Sequence, residues 1–451
     1  MIAMTKRTRT ILFLMLGAIF FSLAPAIILY SQGYRFSWND KQFSKVGAFY
    51  LSIIPTRAEV LINEKSIGKT ARLAASTLTK DFSPGAYNIR VQKEGYHSWE
   101  KRLEIFPKQV TEVKHITLLP ANPDFVALQD NVRAIWFGPN KTEALLQKSK
   151  TDGQNTWTLS LWDVQKNIGY PLYESLHAQD EISNIEWALY PNSFLMQMNS
   201  QGQQKSFTQT IDRNLLFGSK SAAESFQIAA RLRTPVVSKL QYAQTHTGVT
   251  FPRNVVTFFA DNQQVLWLDQ GGILWQQTTS DTQPRRLNEE PLLVEAKTPY
   301  KIFAEQKEFF IQKREVLYML NQETRTFEEF FAPLYEMIQS PDQRKLALSS
   351  GKEIWLYFFQ EEQEQPRRQK GEKLFLTRLS EDIENLGWFN SHYLIFARGD
   401  AIIVSEIDNR DHLNMVELAT FPNPSSFWQE GTKTLLVHTG NKILASEKLL
   451  P

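Results

Sequence analysis

The chain has 451 residues, 42% of them hydrophobic and 12% aromatic, the composition of a folded protein longer than one compact domain. A formal net charge of +2 supplies no strong basic face, so nucleic acid is not expected as a partner. The absence of cysteine excludes disulfides, thiolate metal sites, a cysteine nucleophile and a lipidated cysteine anchor.

Residues 1–10 read as a cytoplasmic tail carrying Lys6, Arg7 and Arg9 and no acid. Residues 11–30, from Ile11 to Tyr30, are uncharged throughout. As a helix rising 1.5 Å per residue they span about 30 Å, the thickness of a hydrocarbon core. The positive-inside rule keeps the tail in the cytoplasm and exports the rest. Pro25 is tolerated, because membrane helices accept a kink. A cleaved signal peptide is the competing reading, with Ala24-Pro25-Ala26 as the cleavage site. The apolar run continues through Ile27, Ile28, Leu29 and Tyr30, which favours an uncleaved anchor. The expected location is therefore the cytoplasmic (inner) membrane, with a single pass, the N-terminus inside and the bulk of the chain extracytoplasmic. In the connector, 31–46, Tyr34, Phe36 and Trp38 alternate, fitting an aromatic belt at the lipid interface better than a short strand of the next domain.

Residues 47–120 alternate with period two. Tyr87, Ile89 and Val91 are interleaved with polar residues, Val60 and Ile62 flank Leu61, and Leu103 and Ile105 flank Glu104. Ser83-Pro84-Gly85 and Lys93-Glu94-Gly95 mark turns, so four to six short strands in a small sandwich are expected. In order, Gly47, Ser52, Pro55, Val60-Leu61-Ile62-Asn63, Gly68-Lys69-Thr70, Pro84-Gly85-Ala86-Tyr87, Lys93-Glu94-Gly95-Tyr96, Trp99 and Leu118-Leu119-Pro120 resemble the PEGA domain family. Ala71 departs from the proline usual after the Gly-Lys-Thr turn. The resemblance implies an extracytoplasmic β-sandwich module without chemistry of its own. A P-loop at Gly68-Lys69-Thr70 is rejected, because position 63 is Asn rather than Gly and strands surround the turn. Tyr96 and Trp99 are expected to cap the core rather than bind sugar.

Residues 121–451 repeat a pattern without repeating a sequence. Units begin near Ile135-Trp136-Phe137, Ile185-Glu186-Trp187, Val256-Thr257-Phe258, Tyr300-Lys301-Ile302-Phe303, Met337-Ile338, Leu386-Gly387-Trp388 and Ser426-Phe427-Trp428. A period of about 40–50 residues in an all-β chain suggests four-stranded propeller blades, six to eight of them, with seven favoured by length. The Ser340-Pro341-Asp342-Gln343-Arg344-Lys345 turn and a looser copy from Phe137 to Leu146 resemble TolB-type and WD-like propeller repeats. Trp162-Asp163 and Trp267-Leu268-Asp269 are read as ends of third strands. The doublets Phe258-Phe259, Phe309-Phe310, Phe330-Phe331 and Phe358-Phe359 put apolar groups on both faces of a strand, as blades stacked face to face require. The last unit shows three strands, and Phe125-Val126-Ala127-Leu128 is expected to supply its fourth, closing the ring. Ser219–Leu240 reads as a short helix or loop inserted in a blade, and Glu361–Lys370 as a solvated hairpin tip.

No catalytic, cofactor-binding or metal residue is assigned. No two of His97, His115, His177, His246, His392, His412 and His438 stand at helical metal spacing, no Gly-x-Ser-x-Gly elbow occurs, and no cofactor is implied. The acid pairs Asp180-Glu181, Glu289-Glu290 and Glu381-Asp382 sit in polar turns. The expected fold is mainly β: a transmembrane helix, a PEGA-like sandwich and a propeller. The expected function is binding or scaffolding in the cell envelope, with the membrane, an envelope protein or a cell-wall or surface-layer polymer as partners, and without catalysis. The alternative is an extracytoplasmic propeller enzyme of lyase or glycosidase type.

Overall fold

The computed structural model describes residues 6–451 apart from 32, 38–41, 71–74, 140, 151–155, 188–192, 237–246, 262 and 279. The expectations on Trp38, Ala71, Asn140, His246 and the end of the 219–240 stretch lie outside the described residues.

The first helix runs Lys6–Ser31, about 39 Å at 1.5 Å per residue, long and apolar enough to cross a membrane. It begins before the apolar run, since Lys6, Arg7 and Arg9 are good helix formers and nothing interrupts the turn. Its large apolar side chains are bare of protein, with Phe13 at 74% and Phe21 at 76% exposure. The connector is not an unpaired aromatic belt: Tyr34–Ser37 pairs antiparallel with Gln42–Lys45. Arg35 secures this hairpin, stacking 3.6 Å over the Tyr30 ring and pairing with Asp81 at 3.1 Å.

The sandwich has seven strands rather than four to six. Gly47–Ile54 lies between Ser76–Phe82 and Val110–Thr117 in one sheet; Glu59–Ile62 and Gly85–Gln92 lie between Lys65–Lys69 and Trp99–Ile105 in the other. Lys65–Lys69 is exposed along its whole length, so no alternation announces it. Phe49, Leu51, Ile53, Ile89, Val91 and Trp99 fill the core between the sheets. Gly68 holds φ 124 at an irregularity in pairing, and Thr70 Oγ1 accepts from Ala58 N at 3.1 Å, so the Gly-Lys-Thr segment is a strand end.

Seven further four-stranded sheets follow, each a meander apart from the last. Their first strands are 132–137, 181–187, 255–260, 300–305, 336–339, 383–390 and 425–429, which contain the seven expected unit starts. The first strands of blades 3 and 4, of 5 and 6, and of 6 and 7 approach one another, as strands lining the axis of a seven-bladed propeller do. Phe125–Asp130 pairs with Lys442–Ser446 as the outer strand of blade 7, joining the two ends of the region. Ring closure leaves no open seam between the first and last blades.

Apolar clusters fill six of the seven seams between neighbouring blades. The face of blade 3 toward blade 2 is covered by Val249 and Phe251 of the connecting segment. Three doublets divide as expected: Phe258 from Phe259, Phe309 from Phe310 and Phe358 from Phe359 enter different seams. Phe330-Phe331 does not. A bulge opposite Leu317 and Tyr318 adds one residue, and both rings pack in the same seam. Trp267-Leu268-Asp269 ends a second strand, not a third; Asp269 holds the following turn through Ile273 N and Trp275 Nε1. Blade 2 carries the insertion as two helices, Arg213–Phe217 and Ala222–Arg231, capped by Asp212 and Ser221. Leu216 and Ala229 fasten them to the seam with blade 1.

Candidate functional site

Each blade descends, rises, descends and rises, so its first-to-second and third-to-fourth turns lie at one end of the propeller. The second-to-third turns and the blade-to-blade connections lie at the other. The PEGA-like sandwich docks at the first of these ends, on blades 5 and 6.

Docking uses two of the sandwich's four edge strands, Trp99–Ile105 and Val110–Thr117, whose unpaired backbone groups would otherwise face water. The Asn414 side chain meets both groups of Glu100: its Oδ1 accepts from Glu100 N and its Nδ2 donates to Glu100 O, each at 3.1 Å. Gln365 does the same on Val110–Thr117, accepting from Glu112 N at 3.0 Å and donating to Val110 O at 3.1 Å. Two amides thus act as stand-in strands. The 361–370 loop is therefore a docking element, and the expectation of a merely solvated tip is corrected.

Lys101 plugs the joint. It is fully buried, pairs with Glu406 at 2.7 Å and donates to the carbonyls of Asp408, Arg410 and His412. Trp99, whose ring lies in the sandwich core, donates Nε1 to the other Glu406 oxygen at 2.9 Å. Trp99 is a core residue as expected, and its polar end is an inter-domain contact. Tyr96 packs against the same core. Leu118 and Leu119 make the same division along the chain, the first in the sandwich core and the second in the seam of blades 6 and 7.

Beside this joint is a cavity of about 70 Å³, lined by His115, Lys345, Glu362, Arg368, His392 and Asp408 among others. The His115 and His392 rings stack at 3.4 Å with 8° between their planes. His115 Nε2 lies 2.7 Å from Glu364, and this bond, with help from Lys114, holds the Glu364 carboxyl below its usual range. The turn of Ser340–Lys345 contributes Lys345, paired with Asp342 at 2.7 Å and Glu362 at 3.3 Å. The looser copy in blade 1 closes with the same bond, Gly138 N to Glu143 O at 2.8 Å against Ser340 N to Lys345 O at 2.9 Å. The charges of the joint are matched against one another, an arrangement suited to holding two domains together.

Burial, aided by the neighbouring His115 and Lys345, depresses the His392 imidazole from 6.5 to about 3, against the opposing pull of Asp342 and Glu364. A base that stays neutral when folded binds fewer protons than when unfolded. Its contribution is complete above pH 6.5 and is lost as pH falls from there toward 3, at up to about 1.4 kcal/mol per pH unit. Urea midpoints at pH 7.5 and 5 should therefore differ more for the wild type than for His392→Gln. Equal differences would contradict this assignment.

Asp180 accepts from Leu176 N and His177 N, and Glu289 pairs with Arg325. On axis-lining strands, Glu336 accepts from Asn385 N and Leu386 N, and Glu186 accepts from Asn184. Among the described residues no group of three or more His, Asp or Glu is placed to hold a metal ion. Sequence reasoning missed Lys101, Glu406, Asn414 and Gln365. The one available signal was a lysine at an inward position of an alternating strand, between Trp99 and Leu103.

Residues 49–120 match the family model of the PEGA domain. No curated relative matches the chain. Among solved structures, the PEGA-bearing chain is similar to the β-propeller domain of Myceliophteria thermophila Cps50 (Swd1), with 9% identity and a TM-score of 0.41, covering 73% of this chain and 99% of that one. It is also similar to YCF48 from Cyanidioschyzon merolae, with 5% identity and a TM-score of 0.40, covering 72% and 98%. The propeller assignment stands on the strand order and the closed ring.

Proposed function

We propose that this protein is a membrane-anchored extracytoplasmic scaffold without catalysis, which uses its PEGA domain as a bracket to present one end of the propeller to a protein partner. The observation that carries the reading is the division of the propeller's ends. The PEGA domain takes the end with the Asp342, Gln365, His392 and Asn414 turns. Among the described residues, the three most exposed large apolar side chains of the propeller, Leu176, Leu293 and Tyr335 at 79%, 75% and 62%, all lie on blade-to-blade connections at the opposite end. Exposed apolar groups at loop tips are suited to a protein interface. The orientation is supported by Lys6, Arg7 and Arg9 on the N-terminal side of the helix and no acid there.

Photocrosslinking groups placed at 176, 293 and 335 in living cells test the reading. One protein adduct of the same mass from these positions is expected, and not that adduct from position 306 at the PEGA end. Glutamate at two of the three positions should abolish the adduct from the third while leaving the unfolding midpoint in place. No adduct, or the same adduct from both ends, would refute it.

A further inference from the structure

A second cleft, of about 860 Å³, opens at the PEGA end but on blades 3, 4 and 5, away from the joint. That volume falls within the roughly 300–1,000 Å³ of small-ligand sites. Seven of its fourteen lining residues are glutamine, against about one residue in fourteen along the chain. They come from separate segments that only the propeller brings together.

Five of the seven amides are held by other side chains, four of them in two amide-to-amide relays. Gln276 Nε2 donates to Gln264 Oε1 at 2.6 Å, and Arg285 donates to Gln276 Oε1 at 2.8 Å. Gln306 Nε2 donates to Gln343 Oε1 at 3.3 Å, and Gln339 bonds the Glu305 carboxyl. A relay fixes which end of each amide faces the cleft, while every amide keeps a second proton or lone pair to offer. Charge is balanced, with Asp261 and Glu305 against Arg285 and Lys307. Asp261 is occupied by the backbone of Gln263 and Gln264, and burial pushes the Glu305 carboxyl up. Ala304 and Phe309 add apolar surface to the lining. Gln306 and Gln343 also hold left-handed backbone, φ 50 and 59, where glycine would be relaxed. Gln343 occupies the position that propeller turns of this type give to glycine.

We infer that this cleft binds a neutral glycan. Amides offer a donor and an acceptor in one plane, which matches adjacent hydroxyls and acetamido groups. A charged ligand would meet no net formal counter-charge in the lining. This goes beyond the scaffold reading and uses the other end of the propeller, so failure here leaves that reading standing.

The test is calorimetric titration of the full-length protein in phosphatidylcholine nanodiscs, which avoid sugar detergents. The probes are chitotetraose (four N-acetylglucosamine units) and maltotetraose as neutral oligosaccharides, and tetragalacturonate as the charged control. At least one neutral probe should bind ten-fold or more tightly than the uronate. The double variant Gln306→Gly/Gln343→Gly should weaken that binding at least ten-fold with an unfolding midpoint equal to or above the wild type, since glycine relieves both turns. Failure of both neutral probes, equal binding of the uronate, wild-type binding by the variant, or loss of binding only with a lowered midpoint would each overturn the inference.

Discussion

Lys101→Met will destabilise the joint by about 3–5 kcal/mol, because it leaves the Glu406 carboxylate buried beside Trp99 with no cation to pair with. It also strips the carbonyls of Asp408, Arg410 and His412 of their shared donor. The 407–414 loop should then become a protease-sensitive site, and the PEGA domain should separate from the propeller before either unfolds. Adding Glu406→Gln should recover part of the loss, since a neutral amide oxygen still accepts from Trp99 without a buried charge. Urea unfolding of the full-length protein, with limited proteolysis alongside, reads both effects. A change below about 1 kcal/mol would mean that the pair is solvated and the bracket loose.

Trp162→Ala will cost about 3–5 kcal/mol, the range for truncating a large buried aromatic residue. Trp162 is fully buried in the seam where blade 1 meets blade 7, against Leu436, Ile443 and Ala445, and its Nε1 donates to Asn167 at 3.0 Å. This seam joins the two ends of the propeller, so the cavity should loosen the closing strand Phe125–Asp130 first. Hydrogen exchange should rise there and in Lys442–Ser446 before it rises in blades 3 and 4. Uniform acceleration around the ring would contradict closure through this seam.

The propeller was legible because its blades bury both faces of their inner strands. Phe309-Phe310 and Phe358-Phe359 announce two-sided burial, and a fourth strand was missing from the last unit and present before the first. Phe330-Phe331 misled because a bulge reverses the facing of one residue, and no local signal marks it. The extra sandwich strand Lys65–Lys69 was hidden because an exposed edge has no apolar face to alternate. The joint was illegible for a different reason. Asn414 and Gln365 are polar residues in loops, and what they do depends on backbone groups roughly 250–310 residues away, brought near only by folding. The glutamine cleft is likewise assembled from segments that look like ordinary polar turns.

The proposed scaffold role requires that the helix put the PEGA domain and propeller on the extracytoplasmic side, and the absence of cysteine makes this directly measurable. Single cysteines at Leu176 and Tyr335, and a third at Thr8 on the other side of the helix, can be probed with a membrane-impermeant maleimide on intact spheroplasts. Labelling at 176 and 335 is expected without permeabilisation, and at 8 only after it. Labelling at 8 in intact spheroplasts, with 176 and 335 protected until lysis, would contradict the scaffold role.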